Sequence, residues 1–222
     1  MKTLTSRVLS RVAALPVFIY LCFILPAGTW NFWEVYVYFG VVVVLMLIAL
    51  VYFLRTDPEL LERRMKTKES EDEQKAIVAV LAICVLAMFL IPGFDKRNSW
   101  SEVSTTLVLL GDGLTVAGYL GIMRVFKENS YASRVVEIEQ GQSLIDTGPY
   151  SFVRHPMYLA VILMYLGTPV ALGSWWAYIP MALIPVLIAF RVLSEEDVLK
   201  NGLEGYVDYC QRVRWRILPG IW

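Results

Sequence analysis

Apolar runs close to twenty residues long alternate along this chain with short polar breaks. The runs are Val12 to Trp30, Val35 to Leu54, Ala76 to about Phe94, about Val103 to Val125, Pro156 to Leu172, and Trp175 to about Phe190. Runs of this length and hydropathy read as membrane-crossing helices, so the pattern predicts an all-α polytopic membrane helix bundle with about six transmembrane helices. Lys2, Arg7 and Arg11 precede the first run and give it the look of a signal peptide. It has no small-residue cleavage site before Asn31, and is read as a retained span. The break from Arg55 to Lys75 holds thirteen charges of mixed sign. Within it Asp57-Pro58, an N-cap and first-turn pair, starts a short surface helix over ELLERRMK, which is read as solvated. Asp112, between Gly111 and Gly113 in the fourth run, is a carboxylate at membrane depth. It is a functional candidate by default, but its glycine neighbours favour close helix packing.

Charge then orients the bundle. With spans assigned alternately, eighteen Lys/Arg fall on the side of the termini and only Lys96 and Arg97 on the other. The positive-inside rule places both termini in the cytoplasm. Five of seven tryptophans, Trp30, Trp33, Trp100, Trp175 and Trp176, lie at the opposite boundary, as an aromatic belt requires. A hydrophobic share of 57% and a mean hydropathy of +0.57 agree with an integral membrane protein in contact with membrane lipids. A formal net charge of zero gives no sign of a nucleic-acid partner. Cys22, Cys84 and Cys210 are scattered and match no metal-ligand spacing, so no metal site is expected.

The candidate chemistry gathers in two polar stretches. Gly148 to Tyr158 reads GPYSFVRHPMY and holds the only histidine. Gly148 is suited to positive φ, and Pro156 disfavours helical geometry at His155 while fitting the first turn of the following helix. Arg154 and His155 then stand at a helix N-terminus whose backbone donors suit an anion, or they serve as interfacial anchors. The second stretch, Arg191 to Lys200, reads RVLSEEDVLK, where Arg191/Glu195 and Glu196/Lys200 are i,i+4 pairs of an ordinary solvated helix end. One tight membrane hairpin, turning at GSWW, brings both stretches to the same face. Together they offer a carboxylate pair for an amine and an Arg/His mouth for an anion, which suits a zwitterionic ligand.

The run GQSLIDTGPYSFVRHPMY, the GS turn, R-x-x-x-E-E-x-x-L, and G-Y-x-x-Y ending in R-x-L-P-G closely resemble the isoprenylcysteine carboxyl methyltransferase family and its phospholipid methyltransferase relatives. The resemblance covers roughly the C-terminal 85 residues. It implies S-adenosylmethionine held between the RHP loop and the EE helix, with a lipophilic acceptor entering from the membrane. It also implies cofactor contacts at Gln142, Leu144, Gly148, Tyr150, His155, Tyr158 and Glu196. Some family members carry histidine where Gln142 stands, which bears on the prenylated substrate. The chain is accordingly divided into a four-span scaffold, residues 1–126, and a methyltransferase core, residues 127–222.

Methyl transfer from a sulfonium asks for alignment and a dry pocket more than for a strong base. A carboxylate acceptor needs no deprotonation, and Arg154 or Arg191 is positioned to orient it. A thiol or amine acceptor needs a base, for which Glu195 or His155 is the candidate. The function expected is methyl transfer to a lipophilic acceptor at the cytoplasmic face, most like carboxyl O-methylation of an isoprenylcysteine. Small thiols and phospholipid amines are alternatives. Outside this class stand a small transporter using Asp112 and a nicotinamide-dependent reductase, since sterol reductases share the plan of the C-terminal region.

Overall fold

The computed structural model describes residues 13–65, 72–132, 138 and 141–222. Lys2, Arg7 and Arg11 of the orientation argument lie outside the described residues, as does the charged stretch 66–71. All regular structure among the described residues is helical: α1 (Ala13–Ala27), α2 (Trp33–Thr56), α3 (Pro58–Met65), α4 (Asp72–Asn98), α5 (Thr105–Glu128), α6 (Pro156–Ala171), α7 (Tyr178–Gly202) and α8 (Tyr206–Arg212). Four of them, α2, α4, α5 and α7, are long and apolar enough to cross a membrane, and α1 and α6 are shorter apolar helices. The protein is an integral membrane helical bundle, as the alternating pattern predicts.

Local chemistry sets the helix ends. Asp57 Oδ1 accepts from Leu60 N at 3.0 Å, and Pro58 opens α3 at a position where its missing N–H is no loss. Ser104 caps α5 in the same way, accepting from Leu107 N at 3.4 Å. The sixth run outlasts its apolar stretch, because α7 continues as one helix through the charged residues to Gly202. α1 contains a π-helical turn over Tyr20–Ile24, and where it bends the backbone of Gly93 fits against it. A Cβ at Gly93 would stand 2.8 Å from Pro26 Cβ, so only glycine allows that approach.

α5 and α6 form the tightest helix pair. A Cβ on Gly111 would lie 2.6 Å from Ala171 N, and one on Gly118 2.6 Å from Met164 N. Small residues that let backbones meet are how apolar helices associate in lipid, where the hydrophobic effect between them is absent. Gly113 has no part in this, since a Cβ there would meet nothing within 4 Å. Of the two glycines beside Asp112, only Gly111 makes the close packing the sequence suggests. α4 packs against α7 through Cys84, Met88, Met181, Ile184 and Ile188, and against α1 through an aromatic cluster. Between α4 and the α5–α6 pair the bundle is left open.

The two ends of the bundle are built differently. At the end carrying the tryptophans, Asp95 is buried and accepts from Ser101 N at 2.8 Å, Ser101 Oγ at 2.7 Å and Ser174 Oγ. This ties α4 and the α4–α5 connection to the hairpin turn between α6 and α7. At the other end α3 does more than lie in solvent. Leu60 is fully buried, Arg63 donates to Ser130 O at 3.0 Å, and Arg64 lies over the Phe126 ring at 5.1 Å. The solvated-loop expectation fails for α3 because both arginines find aromatic and carbonyl partners at the end of α5.

Candidate functional site

A cavity of about 650 Å³ runs between α4, α6 and α7, roofed by the 129–132 and 142–145 segments and by α8. Its volume lies within the range usual for small-molecule sites. One end is polar, with Asn129, Gln142, Tyr150, His155, Arg191 and Glu195 on its wall. The other is an apolar channel. Val78, Leu81, Ala82, Val85, Leu86 and Phe89 of α4 follow a three-four spacing, so one face of that helix lines it from end to end. Tyr158, Val161 and Tyr165 of α6 and Ile184 and Ile188 of α7 face that stripe.

The loop before α6 is held from three sides. Gly148 takes φ 56°, a left-handed conformation that favours glycine, and the Glu128 carboxylate lies against the space a Cβ would fill. Thr147 Oγ1 donates to Glu128 Oε1 at 2.6 Å, Asn129 Nδ2 to the Tyr150 hydroxyl at 2.9 Å, and the Tyr209 hydroxyl of α8 to Tyr150 O at 2.7 Å. Burial pushes the Tyr150 phenol up to about 12, against a smaller opposing effect of the Asn129 amide, and burial raises Tyr209 as well. Both hydroxyls therefore remain protonated at neutral pH. They act as hydrogen-bonding groups and not as bases.

His155 caps α6 in non-helical geometry, φ −124° and ψ 62°, and Pro156 occupies the first turn. The backbone N–H groups of Arg154 and His155, just before the helix, are already taken. Arg154 N donates to Trp215 O at 2.9 Å and His155 N to Arg216 O at 2.8 Å, because the C-terminal segment returns alongside the RHP loop and pairs with it. The segment running into R-x-L-P-G supplies the cover, a role that its sequence alone did not disclose.

The two neighbouring glutamates part company. Glu196 is 1% exposed and accepts from Arg154 Nε at 2.7 Å and Arg216 Nε at 3.1 Å, with Lys200 Nζ at 3.5 Å and His155 Nε2 at 3.4 Å. Arg154 spends its Nη1 on the carbonyls of Val213 and Arg214, at 2.9 and 3.0 Å. This hub fastens the RHP loop, α7 and the C-terminal segment to one another. Glu195 turns instead toward the cavity and accepts from the Tyr158 hydroxyl at 2.7 Å. That hydroxyl accepts from Arg191 Nε at 3.0 Å, and Arg191 Nη1 donates to Gln74 Oε1 at 2.8 Å.

Of the sequence-based candidates, the structure brings Gln142, Leu144, Tyr150, Arg154, His155, Tyr158, Arg191 and Glu195 onto one cavity. Gly148 and Glu196 are outside its lining, the first shaping the loop and the second anchoring it. Arg154 is committed to Glu196 and two carbonyls, and Arg191 is held by Tyr158 and Gln74. Asp112 is buried away from the cavity, and neither of its oxygens has a hydrogen-bond partner among the described residues. Gln74 was missed because it sits among the charges that open α4. Its partner is more than a hundred residues away, and no local pattern marks it.

Comparison with known proteins bears on this arrangement. Residues 106–204 match the phospholipid methyltransferase family. Over 140 residues the chain is 29% identical to protein-S-isoprenylcysteine O-methyltransferase B of Arabidopsis thaliana, a match covering 62% of this chain and 68% of that protein. The central and C-terminal part of the chain is thus similar to phospholipid methyltransferases and to an isoprenylcysteine methyltransferase. The match to the methyltransferase family starts with α5 and ends just past α7, so it contains the RHP loop, both glutamates and most of the cavity's polar end. A nickel-cobalt-cadmium resistance protein of Alcaligenes xylosoxydans xylosoxydans is 25% identical over 134 residues, 58% of each chain. The chain thus spans under two thirds of that relative's length. A Delta(14)-sterol reductase of Mus musculus is 29% identical over 85 residues, 37% of this chain and 20% of the reductase.

Proposed function

We propose that this protein is a membrane methyltransferase that moves a methyl group from S-adenosylmethionine to a lipophilic acceptor, at the cytoplasmic face where both termini lie. One observation carries the reading: a single cavity joins a polar chamber to an apolar channel opening between helices, with Arg191 at the junction. On α7, Arg191 stands one turn from Glu195 on the polar side and one turn from Ile188 on the apolar side. An acceptor with a charged head and a hydrophobic tail would place its head there.

The polar chamber fits the cofactor in its donor set. Gln142 and the protonated Tyr150 supply hydrogen bonds, Glu195 supplies a carboxylate for an amine, and Leu144, Leu199 and Leu203 supply an apolar wall. When bound, S-adenosylmethionine supplies a methyl group on a positively charged sulfur. The protein's part is to hold and align. Tyr158 and Gln74 fix the Arg191 fork so that it can orient a carboxylate head, and the helices exclude water around it. Glu195, held by Tyr158, is the group placed to accept a proton if the acceptor is a thiol or an amine. Glu196 and Arg154 position the loop and do not touch the reacting atoms. In this division of labour residues 1–126 are scaffold and residues 127–222 the methyltransferase core, with α4 of the scaffold lending one wall.

The reductase alternative is tested by cofactor choice. Titration calorimetry of the purified full chain should show saturable binding of S-adenosylmethionine and none of NADPH. Glu195→Gln should weaken the binding by about 1.5–3 kcal/mol, the loss of a charged hydrogen bond. Saturable binding of NADPH, with no heat from S-adenosylmethionine, would overturn the assignment.

A further inference from the structure

Phe89 of α4 and Phe18 of α1 both line the channel. We infer that Phe89 of α4, backed by Phe18 of α1, is the stop that limits how long a tail the acceptor can carry. The inference rests on the lipophilic-acceptor reading above and adds a specificity-determining residue to it.

The geometry is as follows. The α4 stripe climbs eleven residues from Val78 to Phe89, about 16 Å at ~1.5 Å per residue. On α7, Ile188 and Ile184 continue the facing wall inward from Arg191, which is tied to Gln74 at the start of α4. At the end of the stripe the Phe89 ring meets Phe18 edge-on, centroids 5.7 Å apart at 83°. Behind Phe89 lie Phe23 at 6.0 Å, Phe39 at 6.1 Å and Tyr38 at 6.3 Å. Tyr38 is pinned in turn by its hydrogen bond with Thr168 at 3.0 Å. A stop backed by a packed aromatic cluster does not give way to a longer tail without repacking several rings.

Phe18 and Phe89 each stand nine residues before the far ends of their helices, Ala27 and Asn98, which is ~13 Å and close to mid-depth in a ~30 Å hydrocarbon core. The channel therefore crosses one leaflet only. An extended chain covers ~3.5 Å for every three bonds, so the channel takes a tail of roughly fourteen bonds. Ala82 and Leu86 of the same stripe line the channel and are themselves exposed, so this wall is not sealed by packing against a neighbouring helix. A stripe one helix face wide fits a single tail.

The test follows the melting temperature of the purified full chain in lipid nanodiscs, with a series of S-alkylated thiol acids of rising tail length as the probes. Stabilisation by each probe reports its affinity without any need for turnover. In the native protein affinity should tighten about fourfold per methylene until the tail reaches Phe89, then stop rising. Phe89→Ala should move that limit to longer tails, with at least tenfold tighter binding of the first probe past the native limit. Phe89→Trp should move it to shorter ones, and Phe18→Ala should act as Phe89→Ala does. Affinity for S-adenosylmethionine should stay the same in all three. A limit that stays in place in both Phe89 variants would overturn the stop and leave the tail site standing. If affinity in the native protein did not rise with tail length at all, the lipophilic-acceptor reading would fall and the stop with it.

Discussion

Glu196→Ala is expected to destabilise the protein by about 3–5 kcal/mol, the usual result of removing one partner from a buried ion pair. The loss is large because the carboxylate is shared. Without it, the buried Arg154 guanidinium keeps two carbonyls but no counter-charge, and Arg216 loses the anchor that holds the C-terminal segment against the RHP loop. The pairing of Arg154 N and His155 N with the carbonyls of Trp215 and Arg216 then rests on the Arg154 bonds to Val213 O and Arg214 O. Glu195→Gln, one residue away, should cost only about 1 kcal/mol, since its side chain is 25% exposed and accepts a hydrogen bond from Tyr158. Thermal melting in detergent, followed by the fraction of monodisperse protein, separates the two. Equal melting temperatures for the two variants would mean that the hub is no anchor.

The second large effect is expected at Arg191. Arg191→Lys keeps the positive charge but loses the planar fork that reaches Tyr158 on one side and Gln74 on the other. The rate constant kcat/KM for the acceptor should fall by about 10–100-fold, the scale of ~1.4–2.8 kcal/mol of transition-state stabilisation. The affinity for S-adenosylmethionine should change less, because the residue stands where the polar chamber meets the channel. Gln74→Leu should reproduce part of the loss in kcat/KM by freeing one side of the fork. A lysine variant with native kcat/KM would remove Arg191 from the positioning role.

The spans, the all-helical class and the turn chemistry of the RHP loop were legible in the sequence because each is set locally. Apolar run length makes the helices, Gly148 needs its positive φ, and Pro156 fixes where α6 begins. The division between the two glutamates was also within reach. Ile184, Ile188, Arg191 and Glu195 follow the three-four spacing of one helix face, while Glu196 falls in line with the buried Val192. Reading the EE pair as one unit hid this. What could not be read were pairings across long separations: Gln74 with Arg191, the backbone of residues 215–216 with the RHP loop, and α3 with the end of α5. Each depends on how helices pack, and packing in lipid follows small residues such as Gly111 and Gly118, which leave only a faint trace in a hydropathy pattern.

The most direct test is transfer itself. The purified full chain in nanodiscs is given S-adenosylmethionine labelled in its methyl group, a farnesylated thiol acid, and a small volatile thiol in competition. The label should appear in the lipophilic product as a base-labile ester, with the short thiol methylated far less efficiently. Label passing to the short thiol as readily as to the farnesylated acid would contradict a tail-holding channel, and no transfer to either, from protein shown to bind the cofactor, would contradict the methyltransferase assignment for these acceptors.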